Sequence, residues 1–345
     1  MKRAWIAALL LLAACGKKEE KDLCCLTPQP PPPPRTLTRP AGAVLTGLPD
    51  SPELAVCDAR GRWGVKTAAI DHSIVDPAEK APLVPSDGAP TLTLYRDSIP
   101  FPQVNWKSGS WEVTQLVYPY GKGFVARYHV MNHGEKAGTG QLKVFASGSE
   151  GVLIAAADKP PSTSLSFDLR VEPGLSHFIN VTTVDLAGKI PEDALDQSTA
   201  RWEKLIGDRG LKLPDRVAVT NYYADLAGAK LGVAGCAEAA AKTEAMLVQK
   251  EGNALRLLAG VPPSWILEAI EAKEIQTEFG PLSFRYQGAY NHRTFQLQGC
   301  KPADGFLVAV PEKLVARIDG KDAPVKDGQI RVPAGASFVE ITYPK

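Results

Sequence analysis

Charge of one sign is what this 345-residue chain lacks most plainly: 39 Lys+Arg stand against 38 Asp+Glu, a formal net charge of +1. With no basic stripe to offset that balance, electrostatic binding of nucleic acid is excluded. Long apolar runs are missing too. The run from Ala4 to Leu12 falls well short of the roughly 20 residues a membrane-spanning helix needs. No fixed-period repeat is present, which excludes solenoids and propellers. Aromatics amount to only 7%, whereas Gly (30) and Pro (29) are plentiful, a balance that favours short strands and loops over a helical bundle.

Metal and cofactor patterns are also missing. His129 and His133 are four apart, but Val130 stands where a zincin has glutamate, and strand spacing does not converge two such rings on a metal. No cysteines show the C-x₂-C spacing of a zinc site. Gly121-Lys122-Gly123 lacks the other residues of a phosphate loop. Ser108-Gly109-Ser110 and Ser147-Gly148-Ser149 lack the frame of a nucleophile elbow. Asp319, Asp322 and Asp327 miss calcium-loop spacing. No metal ligand, no cofactor and no catalytic residue follow from these stretches.

What is present begins at the start. Met1-Lys2-Arg3 is a positive n-region, Ala4 to Leu12 an apolar h-region, and Leu12-Ala13-Ala14-Cys15 resembles a bacterial lipobox. The resemblance implies removal of residues 1–14 and acylation of Cys15, with the lipid bilayer as partner. Gly16 in place of an aspartate implies sorting to the outer membrane. Residues 15–40, with Pro28 and Pro30 to Pro34, read as a tether. At about 3.1 Å per residue in polyproline II, it reaches on the order of 75 Å. Of the remaining cysteines (Cys24, Cys25, Cys57, Cys236, Cys300), the pair Cys236 and Cys300 is the disulfide to test.

Residues 41–190 read as strands. Stretches 91–95, 111–117, 123–130, 141–145 and 166–171 alternate apolar and polar side chains, most of them separated by Gly, Pro, Asn or Asp clusters. Such a series predicts an antiparallel sandwich rather than a βαβ fold. The period then changes. Pro191-Glu192-Asp193 opens a helix whose face carries Leu195, Thr199, Trp202, Leu205 and Ile206, ended by Gly207. A second helix, from about Asp215 to Gly235, aligns Val219, Tyr222, Tyr223, Leu226 and Val233. A third aligns Cys236, Ala240, Thr243 and Leu247, and a short one opens at Pro262. From about residue 272 strands return, with Asp319-Gly320 and Asp327-Gly328 as hairpin turns. The expected fold class is α+β, mainly β: an N-terminal antiparallel β-sandwich (41–190), a short helical segment (191–271) and a small C-terminal β-sandwich (272–345).

Several phrases carry a family likeness: Trp202 with Leu211-Lys-Leu-Pro-Asp215 and Asn221-Tyr-Tyr-Ala-Asp-Leu226, then Leu255 to Ile266 with Thr277-Glu-Phe-Gly-Pro-Leu-Ser283. Together with the element order, they resemble bacterial glycoside-hydrolase-like proteins of the (α/α)₆ six-hairpin type. In that family the helical barrel carries the acid and base that act on the glycosidic bond. Twelve helices of about 11 residues with loops of about 4 need on the order of 180 residues. Pro214 to Gly260 supplies 47. Most of the barrel is therefore missing, and the resemblance assigns no catalytic residue here.

One positive cue remains. Trp106, Trp111, Tyr118 and Tyr120 lie close together, with Asn105 and Gln115 nearby, a combination that suits polysaccharide if the rings are exposed and a sandwich core if they are not. The leading expectation is a non-catalytic, lipid-anchored envelope protein that binds or scaffolds on glycan. A carbohydrate-active enzyme with an open site between the β domains and a purely structural envelope component stay as alternatives.

Overall fold

A computed structural model describes residues 35–48, 51, 53–65, 68–148, 152–183, 186 and 190–344. Residues 1–14, Cys15, Cys24, Cys25 and the proline-rich stretch lie outside the described residues. The fold is mainly β, with three α-helices among the described residues.

Alternation builds the N-terminal half. Strand Ser164–Val171 turns Leu165, Phe167, Leu169 and Val171 inward and exposes the residues between them. It edges a six-stranded sheet that continues through Gly138–Ser147, Ala68–Val75, Trp63–Val65, Leu54–Cys57 and Val44–Gly47. A seven-stranded sheet faces it, ordered Lys159–Ser162, Ile154–Ala156, Ser176–Thr183, Gly123–Asn132, Trp111–Tyr120, Ile99–Ser108 and Thr91–Tyr95. Every pairing within both sheets is antiparallel. Trp63, Ile70, Leu142 and Val144 of the first sheet close one core with Val104, Trp106, Val113 and Tyr128 of the second.

The second sheet is also covered on part of its other face. Leu94, Phe101, Leu116, Tyr118 and Val125 pack in a second core with the helices. Helix α1 (Ala194–Ile206) buries Leu195, Ser198, Thr199, Trp202 and Ile206. Trp202 Nε1 donates to Gly47 O at 3.0 Å, and Ser198 Oγ donates to Pro119 O at 2.6 Å. Gly207, at φ +67°, ends the helix as expected. Helix α2 (Arg216–Lys230) is capped by Asp215, whose carboxylate accepts from Val217 N and Ala218 N at 2.8 and 3.3 Å. It stops earlier than its apolar stripe suggested. Gly232 turns the chain at φ +74°, and Val233–Ala234 forms a parallel pair with strand Arg35–Thr38. Gly235 instead starts helix α3 (Cys236–Leu247).

Strands return sooner than expected. Val248–Glu251 and Ala254–Leu257 join Phe306–Ala309 and Gln329–Val332 in a four-stranded sheet. Gly210–Lys212, between α1 and α2, edges another seven-stranded sheet, continued by Ala269–Thr277, Gly280–Gly288, His292–Gly299, Phe338–Thr342, Val315–Ile318 and Lys321–Ala323. Both Asp-Gly turns form. Asp319 and Gly320, at φ +47° and +81°, join Ile318 to its partner Lys321, and Asp327 and Gly328 repeat the geometry at +51° and +71°. Residues 34–345 make one unit, because the second core runs without a break from Val44 and Phe101 through Trp202 and Tyr223 to Phe284, Val308 and Ile341.

Candidate functional site

The aromatic cluster read from the sequence is not a binding face. Trp106 and Trp111 are each 1% exposed and Tyr118 is 0% exposed. Strand alternation sends both indoles toward the opposing sheet, where each N–H finds an acceptor: Trp106 donates to His72 Nε2 at 3.1 Å, Trp111 to the Asp76 carboxylate at 2.7 Å. Tyr118 points to the other face and lies in the core shared with the helices, next to Phe101. Tyr120 is half-buried against that core. Gln115 is buried and donates to Tyr128 Oη. Asn105 donates to Glu112.

The proposed disulfide is not formed either: Cys57, Cys236 and Cys300 are all free, buried thiols. His129 stacks on Phe178, while His133 pairs with Glu112, so the two imidazoles serve different neighbours. Among the described residues no group of three or more His, Cys, Asp or Glu could hold a metal, and no helix is long and apolar enough to cross a membrane.

A concavity lies where the N-terminal sheet, the helices and the C-terminal sheet meet. It is a cleft of about 650 Å³, within the range of small-ligand sites. Three chain segments build it. The turn after Thr91–Tyr95 brings Arg96, Asp97 and Ser98. The stretch between α1 and α2 brings Asp208, Arg209 and Lys212, with Arg216 and Thr220 following on α2. Pairing of Gly210–Lys212 with Glu271–Lys273 in register brings Glu271 and Lys273 alongside.

The cleft is polar and cationic on balance, with five basic and three acidic side chains. Lys273 lies 3.7 Å from Asp208, and Glu271 is held by Lys212 at 3.6 Å and by Arg285 at 3.3 Å. Arg209 is braced by Glu244 at 3.9 Å, and Glu244 also accepts from Tyr222 Oη at 2.8 Å. At the apolar back, Tyr223 Oη accepts from Leu211 N at 2.8 Å, which leaves its hydroxyl proton free to donate, and burial pushes this phenol's pKa up. Asp208 and Glu271 are each engaged by cations.

The rim is strained. Arg96 and Asp97 take φ of +50° and +62°. Successive left-handed residues in a hairpin turn call for Asn-Gly or Asp-Gly, as at the two C-terminal turns, and cost roughly 1 kcal/mol each for other side chains. Here the chain carries Arg-Asp at the edge of the cleft, with the Arg96 guanidinium over the Tyr95 ring and paired with Glu203 at 3.2 Å. Nothing in the local sequence flags the site, since its residues come from positions 93 to 273.

No family model matches the chain, and no curated protein matches it. Among solved structures, a family GH92 alpha-mannosidase from Bacteroides thetaiotaomicron is similar at 11% identity and a TM-score of 0.22. The match covers 55% of this chain and 39% of that enzyme, so it spans well under half of the enzyme's length.

Proposed function

We propose that this protein is a lipid-anchored component of the bacterial envelope that binds a glycan without cleaving it. The cleft between the sheets would be its binding site, and Cys15 its anchor, on the outer membrane. The observation that carries the reading is the junction cleft, where hydroxyl-matching groups of both signs converge on a strained Arg96-Asp97 turn. Ion-paired Asp208, Glu271, Lys273 and Arg209 offer both donors and acceptors to a polyol.

Two measurements test it. Membrane fractionation of wild type and Cys15→Ser should find the first in the membrane pellet and the second in the soluble fraction. A soluble Cys15→Ser form should be retained on a polysaccharide panel with no release of reducing ends, and Arg216→Ala with Lys273→Ala should weaken retention. Reducing-end release that survives contaminant controls would make the protein an enzyme. Absence of retention would leave a purely structural role.

A further inference from the structure

A second concavity lies on the C-terminal sheet, away from the junction cleft. Its volume is about 350 Å³, and it is walled by Leu267, Tyr290, Arg293, Glu312 and Tyr343. Four separate segments supply them. Leu267 ends the short helix Pro263–Leu267, Tyr290 lies between strands Gly280–Gly288 and His292–Gly299, Glu312 follows Phe306–Ala309, and Tyr343 follows Phe338–Thr342. Two features set the groove apart from ordinary surface. Tyr290 is 80% exposed and Tyr343 46% exposed, so two aromatic rings face water together. Arg293 lines the wall, and its buried Nε has no hydrogen-bond partner among the described residues, so this guanidinium is not fully engaged by the protein.

We propose that this groove is a sugar-binding site, taking a pyranose unit on the faces of Tyr290 and Tyr343 with Arg293 and Glu312 bonding its hydroxyls. Flat C–H faces pack on aromatic rings, and the ring hydroxyls need both a donor and an acceptor. Arg293 supplies only donors and Glu312 only acceptors. One charge of each sign leaves the groove near neutral, which suits a polyol better than a free anion or cation. Leu267 and Pro263 complete an apolar flank. The site shares no lining residue with the junction cleft.

The idea leans on the glycan reading above but not on the junction cleft, and the test separates the two. The full chain carrying Cys15→Ser would be run by affinity electrophoresis through gels containing soluble β-glucan, mannan, xylan or polygalacturonate. Variants of that chain would be Tyr290→Ala, Tyr343→Ala, Tyr290→Phe, Arg293→Gln and, for the other cleft, Arg216→Ala. The expected result is retardation in at least one gel, weakened fivefold or more by either alanine variant and by Arg293→Gln. Tyr290→Phe should keep it, because the ring remains. Thermal melting should match the parent in the alanine variants, since both tyrosines are exposed. Retardation lost in Arg216→Ala but intact in the tyrosine variants overturns this site and keeps the junction cleft. Retardation in none of the gels overturns both.

Discussion

Arg39 and Asp225 are 186 residues apart in sequence and 2.9 Å apart in the fold, where their side chains are 13% and 11% exposed. The same guanidinium donates to Ala43 O at 2.7 Å. The Cys236 thiol lies against the same carboxylate, and burial followed by the charge of Asp225 pushes its pKa up. This pair ties the start of the described chain to the middle of helix α2. Removing one member of a buried pair strands the other, at a cost of roughly 3 kcal/mol. Asp225→Ala should therefore lower stability by about that amount in chemical denaturation. Arg39→Met combined with Asp225→Leu should cost less than the two single changes added. Full additivity would mean the two charges do not interact.

Asp97→Gly should raise stability and weaken ligand binding at once. Glycine takes φ +62° without strain, so relief of about 1 kcal/mol is expected, read as a higher melting temperature. A fall in stability would show that the turn is not strained.

Acid sensitivity should come in two stages. Burial holds the His72 imidazole down at about 3, so the unfolded chain takes up a proton below about 6.5 that the folded chain refuses. Stability present near neutrality is lost as pH falls from about 6.5 toward 3, at up to about 1.4 kcal/mol per pH unit. Glu112 adds a later loss. Hydrogen bonds from Lys107, Asn105 and His133 hold it at about 2, so its contribution is lost only below the ordinary glutamate range of 4.5. Denaturation of His72→Gln should show a flatter profile between pH 6.5 and 5. A profile parallel to wild type would mean that His72 is protonated in the fold.

The three described cysteines should behave as inert thiols. Burial raises the pKa of Cys57 far beyond the ordinary thiol range and pushes Cys236 and Cys300 up as well. A maleimide should label none of them in the folded protein within the time that labels all three in denaturant without reductant. A Cys236–Cys300 bridge would show itself as two unlabelled sites.

Some of this was legible beforehand. The Asp-Gly turns, the Gly207 stop and the inward face of α1 follow from local chemistry, and all formed. The limit of α2 did not, because Val233 continues the helical spacing while Gly232 breaks the backbone before it. Trp106 and Trp111 were misleading for a related reason: alternation reports which side a residue faces, not whether that side is covered. The junction cleft and the Tyr290–Tyr343 groove were invisible because turns and strand ends far apart in sequence assemble them. Lone tyrosines in loops carry no pattern.

The unbroken second core sets an order on the maturation of the chain. The facing sheets are complete once residue 183 has been made, yet Leu94, Phe101, Leu116 and Tyr118 then form a bare greasy flank. It stays uncovered until Trp202, Tyr222 and Leu226 emerge behind it. A nascent chain stalled between these points would be sticky, and a product shortened there would be a client for chaperones and proteases rather than a smaller working protein.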